Sequence, residues 1–199
     1  MIDLNSIEIF QKNKCTLKKT SKDEHDNGFK LYLTESCLNV INFDVVKDKY
    51  AKPFHLEYCP RSCDALFQST DCYVFVEFKA GKITKQKQYQ ILQKIYDSLL
   101  IFSDISHLTI GELRNEAEFI LVYDEKANLD NTDPELKEKS TQRIQESASL
   151  KQFEKTIAGF AKKEITCFGL GFFEKYCFKR VHTFSEKEFD EYLKSNTFL

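Results

Sequence analysis

Residues 64–79 read Asp64-Ala65-Leu66-Phe67-Gln68-Ser69-Thr70-Asp71-Cys72-Tyr73-Val74-Phe75-Val76-Glu77-Phe78-Lys79. Two runs rich in β-formers, Cys63–Phe67 and Tyr73–Lys79, flank a polar, turn-like spacer, so the stretch predicts a β-hairpin. Residues two apart on a strand share a face. Tyr73, Phe75, Glu77 and Lys79 therefore line one face, and Val74, Val76 and Phe78 the other. The second face is wholly apolar and is expected to pack under the helix that follows. A carboxylate and an ammonium group stand side by side at the end of the second strand, close to Gly81. Strand sequences rarely carry charge there unless it is used or paired. Open α/β sheets place their sites at strand ends.

The register decides what the charges do. A four-residue loop, Ser69–Cys72, is a common hairpin length. It pairs Gln68 with Tyr73 and sets Asp64 opposite Glu77. Directly opposed side chains have Cβ atoms about 4.5–5.5 Å apart, and like charges so placed destabilise a sheet. A divalent cation between them turns that cost into binding, and hard oxygen ligands suit Mg²⁺ or Mn²⁺. Lys79, on the same face, is placed to hold an attacking water or to neutralise charge developing on a phosphate. A two-residue loop pairs Asp64 with Phe75 instead and offsets the carboxylates.

Outward from the hairpin, Lys85–Asp104 carries Leu92, Ile95, Tyr96, Leu99, Leu100 and Phe102 as an apolar stripe at helical spacing. Phe119–Tyr123 is a further strand, closed by Asp124. Upstream, residues 34–50 fit a helix capped by Thr34, although their β-branched content also fits a strand at 38–46. Pro53 and Pro60 punctuate the chain around a short strand at Phe54–Tyr58. Residues 1–33 are polar and lysine-rich and are expected to form a solvated arm. Downstream, Thr132-Asp133-Pro134-Glu135 has a capping pattern for a polar helix that gains an apolar face at Leu150, Phe153, Ile157 and Phe160. Ile165–Phe173 and Tyr176–Thr183 read as strands. Ser185-Glu186-Lys187-Glu188 caps a last helix anchored by Phe189, Tyr192 and Leu193. The expected fold class is α/β, a mixed central β-sheet flanked by helices, in a single domain over 34–199. Its core spans 34–124, and 125–199 is a helical and β extension.

Composition sets the bounds. The chain has 199 residues, of which 42% are apolar and 30% charged, which excludes a disordered chain. Its length allows about 70% of the surface to be buried, so no staple is needed. Lysine and arginine number 29 against 31 acids, a net charge of −2. Binding to nucleic acid must then use a local patch rather than an overall field. The seven cysteines are odd in number and irregularly spaced, which suits reduced thiols in a cytoplasmic protein. No signal peptide is visible. The longest apolar stretches, around Leu99–Phe102 and Ile165–Phe173, are too short for a bilayer, so no membrane partner is expected.

Asp64, a spacer of twelve, and Glu77-Phe78-Lys79 resemble the Asp…(Asp/Glu)-x-Lys signature of the PD-(D/E)XK nuclease superfamily. The context is similar too: a helix, a hairpin carrying the signature, a second helix and another strand. The resemblance covers roughly residues 34–124 and implies a restriction-endonuclease-like core. It implies that Asp64 and Glu77 bind Mg²⁺ or Mn²⁺ and that Lys79 assists a water. An acid from the preceding helix often joins the metal; Glu35 is the candidate here, with Glu57 behind it. Cys63 stands where the superfamily's name has a proline, and Gln93-Lys94-Ile95-Tyr96 is one residue short of a Gln-x-x-x-Tyr motif. The implied activity is hydrolysis of phosphodiester bonds in nucleic acid, DNA first, with microbial genome defence as its setting. The alternative is a non-catalytic interaction module of the same fold, such as an immunity or effector-binding protein, which the mild negative charge favours.

Other signals are weaker. Lys82, Lys85 and Lys87, with Lys94, follow the Glu-x-Lys motif and are candidate contacts to a nucleic-acid backbone. Lys162 with Lys163, and Lys175 with Lys179 and Arg180, form smaller basic clusters. His55, Cys59, Cys63 and Cys72 lack a Cys-x-x-Cys pair and read as structural residues rather than a zinc site. Gly169-Leu170-Gly171 lacks the third glycine and helix start of a dinucleotide loop and reads as a bulge or close packing. The four histidines lack a nucleophile elbow nearby, and His182 reads as a surface residue.

Overall fold

The computed structural model describes residues 1–24, 30–128 and 166–196. In chain order the elements are α1 (Glu8–Gln11), β1 (Lys14–Thr16), α2 (Leu17–Thr20), β2 (Lys22–Glu24), β3 (Lys30–Tyr32), β4 (Asn39–Asn42), α3 (Phe43–Ala51) and β5 (Ala65–Gln68). Then come β6 (Tyr73–Lys79), α4 (Lys85–Ser106), α5 (Ile110–Glu116), β7 (Ala117–Tyr123), α6 (Glu125–Asn128), β8 (Arg180–Ser185) and α7 (Glu186–Ser195). One six-stranded sheet runs in the order β1-β4-β5-β6-β7-β8, and β2 pairs with β3 in a separate hairpin. β1, β4, β5 and β6 are antiparallel neighbours, whereas β6, β7 and β8 run parallel. The fold is thus α/β, with a mixed sheet flanked by helices. Among the described residues, no helix is long and apolar enough to cross a membrane.

The hairpin has the expected register. Gln68 pairs with Tyr73, Leu66 with Phe75 and Ala65 with Val76. Ser69 N donates to Cys72 O at 2.8 Å, which closes the four-residue loop. Ser69 Oγ accepts from Cys72 N at 3.1 Å, a side-chain bond that favours this turn.

The pleat divides the core into two layers. Tyr73 and Phe75 face a layer with Phe43, Ile91, Ile95, Leu99, Phe102, Phe119 and Phe178. Val74, Val76 and Phe78 face another with Leu17, Ile120, Val122, Phe189 and Leu193. So α4 lies over the Tyr73–Phe75–Glu77 face, not over the all-apolar face as the sequence suggests. That face is covered by α7, reached only after β8. The buried stripe of α4 includes Ile91, Ile95, Ser98, Leu99 and Phe102, while Leu100 is exposed and Tyr96 lies at the surface with its ring edge-on to Phe173.

Several boundaries differ from expectation. Residues 34–50 divide at Asn42, whose side chain accepts from Val45 N at 3.2 Å and caps α3. The β-branched part, Asn39–Asn42, pairs with β1 and β5 as a strand. Phe54–Tyr58 forms no strand; Lys52–Phe54 is a 3-10 turn and the residues after it are exposed. The first 24 residues are no detached arm, because Leu4, Phe10 and Leu17 are buried and β1 edges the sheet. Their sparse apolar residues are spaced to reach the core from single turns of helix. Helix α5 has no counterpart in the sequence reading, although Thr109 and Glu112 form a capping box. Of the downstream strands, Leu170–Phe173 is a 3-10 turn entered through Gly169 at φ +71°, and the strand begins at Arg180. The Ser185–Glu188 capping box starts the last helix as expected. The helix expected from Thr132, its apolar face, Lys162 and Lys163 lie outside the described residues.

Candidate active site

Asp64 immediately precedes β5, and Glu77 lies on β6. The paired register runs from Gln68–Tyr73 to Ala65–Val76, one residue short of both acids. The strand pairing ends there. Asp64 N donates to Val76 O at 3.0 Å, and the Asp64 carboxylate takes over the next ladder position, accepting the Phe78 N–H at Oδ2 (2.7 Å). Its other oxygen is thereby aimed toward α4.

The two carboxylates converge on one point, and the ammonium of Lys94 sits there. Lys94 Nζ donates to Asp64 Oδ1 at 2.9 Å and to Glu77 Oε2 at 2.8 Å. Lys79 Nζ lies 2.5 Å from Glu77 Oε1. The Glu77 side chain is 0% exposed, with Lys94 at 14%, Asp64 at 15% and Lys79 at 18%. Two acids and two lysines thus form a nearly buried, charge-balanced tetrad. Burial of an unpaired carboxylate is prohibitive, so each acid requires these partners.

The tetrad perturbs its members. Burial, together with the Glu77 charge, pushes the Asp64 carboxyl up to about 6, against the pull of Lys94, Lys79 and the Phe78 N–H. Burial opposes the charge on Lys94, yet the Glu77 and Asp64 carboxylates outweigh it and lift its pKa above the lysine range. Burial and Glu77 likewise push the neighbouring Cys63 thiol up, keeping it protonated. Cys63 N donates to Ser98 Oγ on α4 at 2.8 Å, which ties the start of the hairpin to the helix that supplies Lys94.

Asp64, Glu77 and Lys79 are therefore brought together as the sequence predicts. Lys82, Lys85 and Lys87 flank them at the turn from β6 into α4. Lys82 and Lys85 are exposed, and Lys87 Nζ donates to Ala80 O at 3.5 Å. Gly81 makes that turn at φ +71°, and Asn128 fastens it, accepting from Ile83 N and donating to Gly81 O.

Glu35 is not brought to the site. It pairs with Lys18 at 2.6 Å, is 76% exposed, and follows Leu33, which belongs to the layer on the opposite side of the sheet. No helix precedes the hairpin at that position to carry an acid inward, because residues 34–38 are irregular. Glu57 is exposed in the loop after the Lys52–Phe54 turn. Among the described residues, no cluster of three or more His, Cys, Asp or Glu side chains could hold a metal ion. The protein donors at the site are therefore two carboxylates. Mg²⁺ commonly binds through one or two carboxylates and keeps several waters. The donor set, already shaped around a cation, fits such an ion.

The site residue that sequence reasoning missed is Lys94, read as one of a basic cluster available to nucleic acid. Its signal is positional: it lies three residues after Ile91 and four before Ser98, both buried, on the inward stripe of α4. An inward lysine needs an acid to receive it. His182, read as a surface residue, is buried on β8 beside Glu118, with its ring stacked on Phe184. His55 and Cys59 are exposed and Cys63 is buried, and all seven cysteines are free thiols.

No protein-family model, no curated protein and no solved structure matches this chain.

Proposed function

We propose that the protein is a divalent-metal-dependent phosphodiester hydrolase acting on nucleic acid, with DNA as the substrate. The observation that carries this reading is the convergence of Asp64 and Glu77 on one cation-sized position, with Lys79 beside it. Asp64 and Glu77 would hold Mg²⁺ or Mn²⁺. When bound, the ion supplies Lewis-acid activation of water and neutralises charge at phosphorus. Lys79 orients a phosphoryl oxygen and offsets the charge gained in the transition state. Lys82 and Lys85 hold flanking phosphates and set the strand's position without reading its sequence. Microbial genome defence is the setting that the superfamily resemblance suggests, in the cytoplasm as the free thiols favour.

The test is cleavage of plasmid and of single-stranded DNA in Mg²⁺ and in Mn²⁺. Cleavage that is lost with EDTA and in Lys79→Ala supports the proposal. Absence of cleavage of either substrate with either metal overturns it.

A second reading is favoured by one observation. Lys94 and Lys79 already balance Asp64 and Glu77, so the fold needs no metal to bury them. On this reading the protein is a non-catalytic interaction module of the immunity or effector-binding kind, and the tetrad is structural. It would be inert in every cleavage assay and would co-purify with a protein partner.

A further inference from the structure

We infer that Lys94 is a resident cation that competes with the divalent ion for Asp64 and Glu77 and so sets the metal affinity of the site. The inference rests on the proposed metal-binding role of these two acids. Lys94 Nζ is within 2.9 Å of both carboxylates, where a shared cation would sit. With Lys94 and Lys79 in place, the tetrad carries no net charge. A divalent ion added to it would leave an excess of two positive charges in a nearly closed site, which the low local dielectric penalises. The ion and the Lys94 ammonium therefore exclude each other. Lys94 has a route out as a charged group. Its side chain is long and flexible, retains some exposure, and leaves a helix whose adjacent residue Gln93 is exposed. Rotation of the Lys94 side chain to water removes the ammonium without moving α4. Metal entry then trades one cation for another.

The apparent affinity of a site is lowered by the fraction of molecules in which it is open. Lys94→Met keeps the stem and removes the charge. Mn²⁺ binding is followed by the electron paramagnetic resonance signal of free Mn²⁺, in wild type, Lys94→Met and Lys94→Met/Asp64→Ala. The expected result is binding about tenfold tighter or more in Lys94→Met than in wild type, lost again in the double variant. A second measurement uses the wild-type chain alone, in case the variant does not fold. Acetylation of Lys94 by an N-hydroxysuccinimide ester is read by mass spectrometry, with Lys85 as the exposed reference. Mn²⁺ is expected to raise Lys94 labelling several-fold over EDTA. If wild type binds Mn²⁺ at Asp64 but Lys94→Met binds no tighter and labelling does not change, the competition is overturned and the metal site stands. If neither chain binds Mn²⁺, the metal site itself is overturned and the competition with it.

Discussion

Asp64 Oδ2 accepts the backbone N–H of Phe78 at 2.7 Å, so the carboxylate replaces a strand as the hydrogen-bond partner of β6 at the point where the β5–β6 ladder stops. This bond fixes the side chain beside Glu77, and the position has a cost. Burial and the Glu77 charge push the Asp64 carboxyl up to about 6. The protonated form is thus favoured in the folded chain relative to the unfolded one, where an aspartate titrates near ~3.9. The associated stability is fully present below about pH 4 and is lost as pH rises through about 6, a change of about 2–3 kcal/mol. In metal-free buffer, urea unfolding from pH 4 to pH 8 should show wild type losing this amount relative to Asp64→Asn. A difference between the two that stays flat with pH would contradict the buried pairing.

The aromatic layer beneath α4 should dominate stability. Phe75 is fully buried and meets Phe43 at 5.8 Å, Phe102 at 5.3 Å and Phe178 at 5.9 Å between ring centroids, each near edge-on. Phe75→Ala removes these contacts and leaves a cavity, at a cost of about 3–5 kcal/mol. Phe172 has ring neighbours too, Phe173 and Tyr176, but stands at the surface. Phe172→Ala should cost less than about 0.5 kcal/mol. Denaturant midpoints of the two variants check the contrast.

The hairpin was legible because its information is local. Alternation over Tyr73–Lys79 assigns the two faces, the four- and two-residue loops both respect them, and the Ser69–Cys72 turn bonds select the four-residue register that the structure has. The side on which α4 lies is a tertiary property. From sequence, the wholly apolar face of Val74, Val76 and Phe78 is the one that suits packing under the following helix. Lys94 reverses that inference: by delivering a cation from α4, it makes the charged face buriable. Its role was illegible because its acid partners lie 17 and 30 residues away in sequence. The strand-to-helix change at Asn42 was ambiguous for a different reason. Val40, Ile41, Val45 and Val46 satisfy both periods, and pairing with β1 and β5 decides between them.

The acids should separate by which side of the sheet they serve. Glu77 is the fully buried member of the tetrad, and Glu77→Gln removes one of the two donors proposed for the metal. DNA cleavage should fall by about a hundredfold or more. Glu35 pairs with Lys18 on the opposite side, so Glu35→Gln should leave cleavage unchanged. Initial rates on a fluorescent DNA substrate at saturating Mn²⁺ measure both. Equal losses in the two variants would mean that the site includes Glu35, contrary to the geometry.

The two lysines of the tetrad should differ in what they do for the fold. Lys94 bridges both acids, whereas Lys79 pairs with Glu77. Removing Lys94 leaves two opposed carboxylates nearly buried without their common counter-ion. Losing one partner of a buried pair costs about 3–5 kcal/mol, and Lys94→Met should fall in that range in metal-free buffer. Lys79→Met leaves Lys94 between the acids, so its cost should be nearer about 1–2 kcal/mol. Combining Lys94→Met with Glu77→Gln removes an acid along with the cation. The double variant should therefore lose less stability than the sum of the single ones, by about 1–3 kcal/mol. Urea unfolding of the four chains gives the coupling directly, and strictly additive losses would mean that the ion pair contributes nothing to holding α4 on the hairpin.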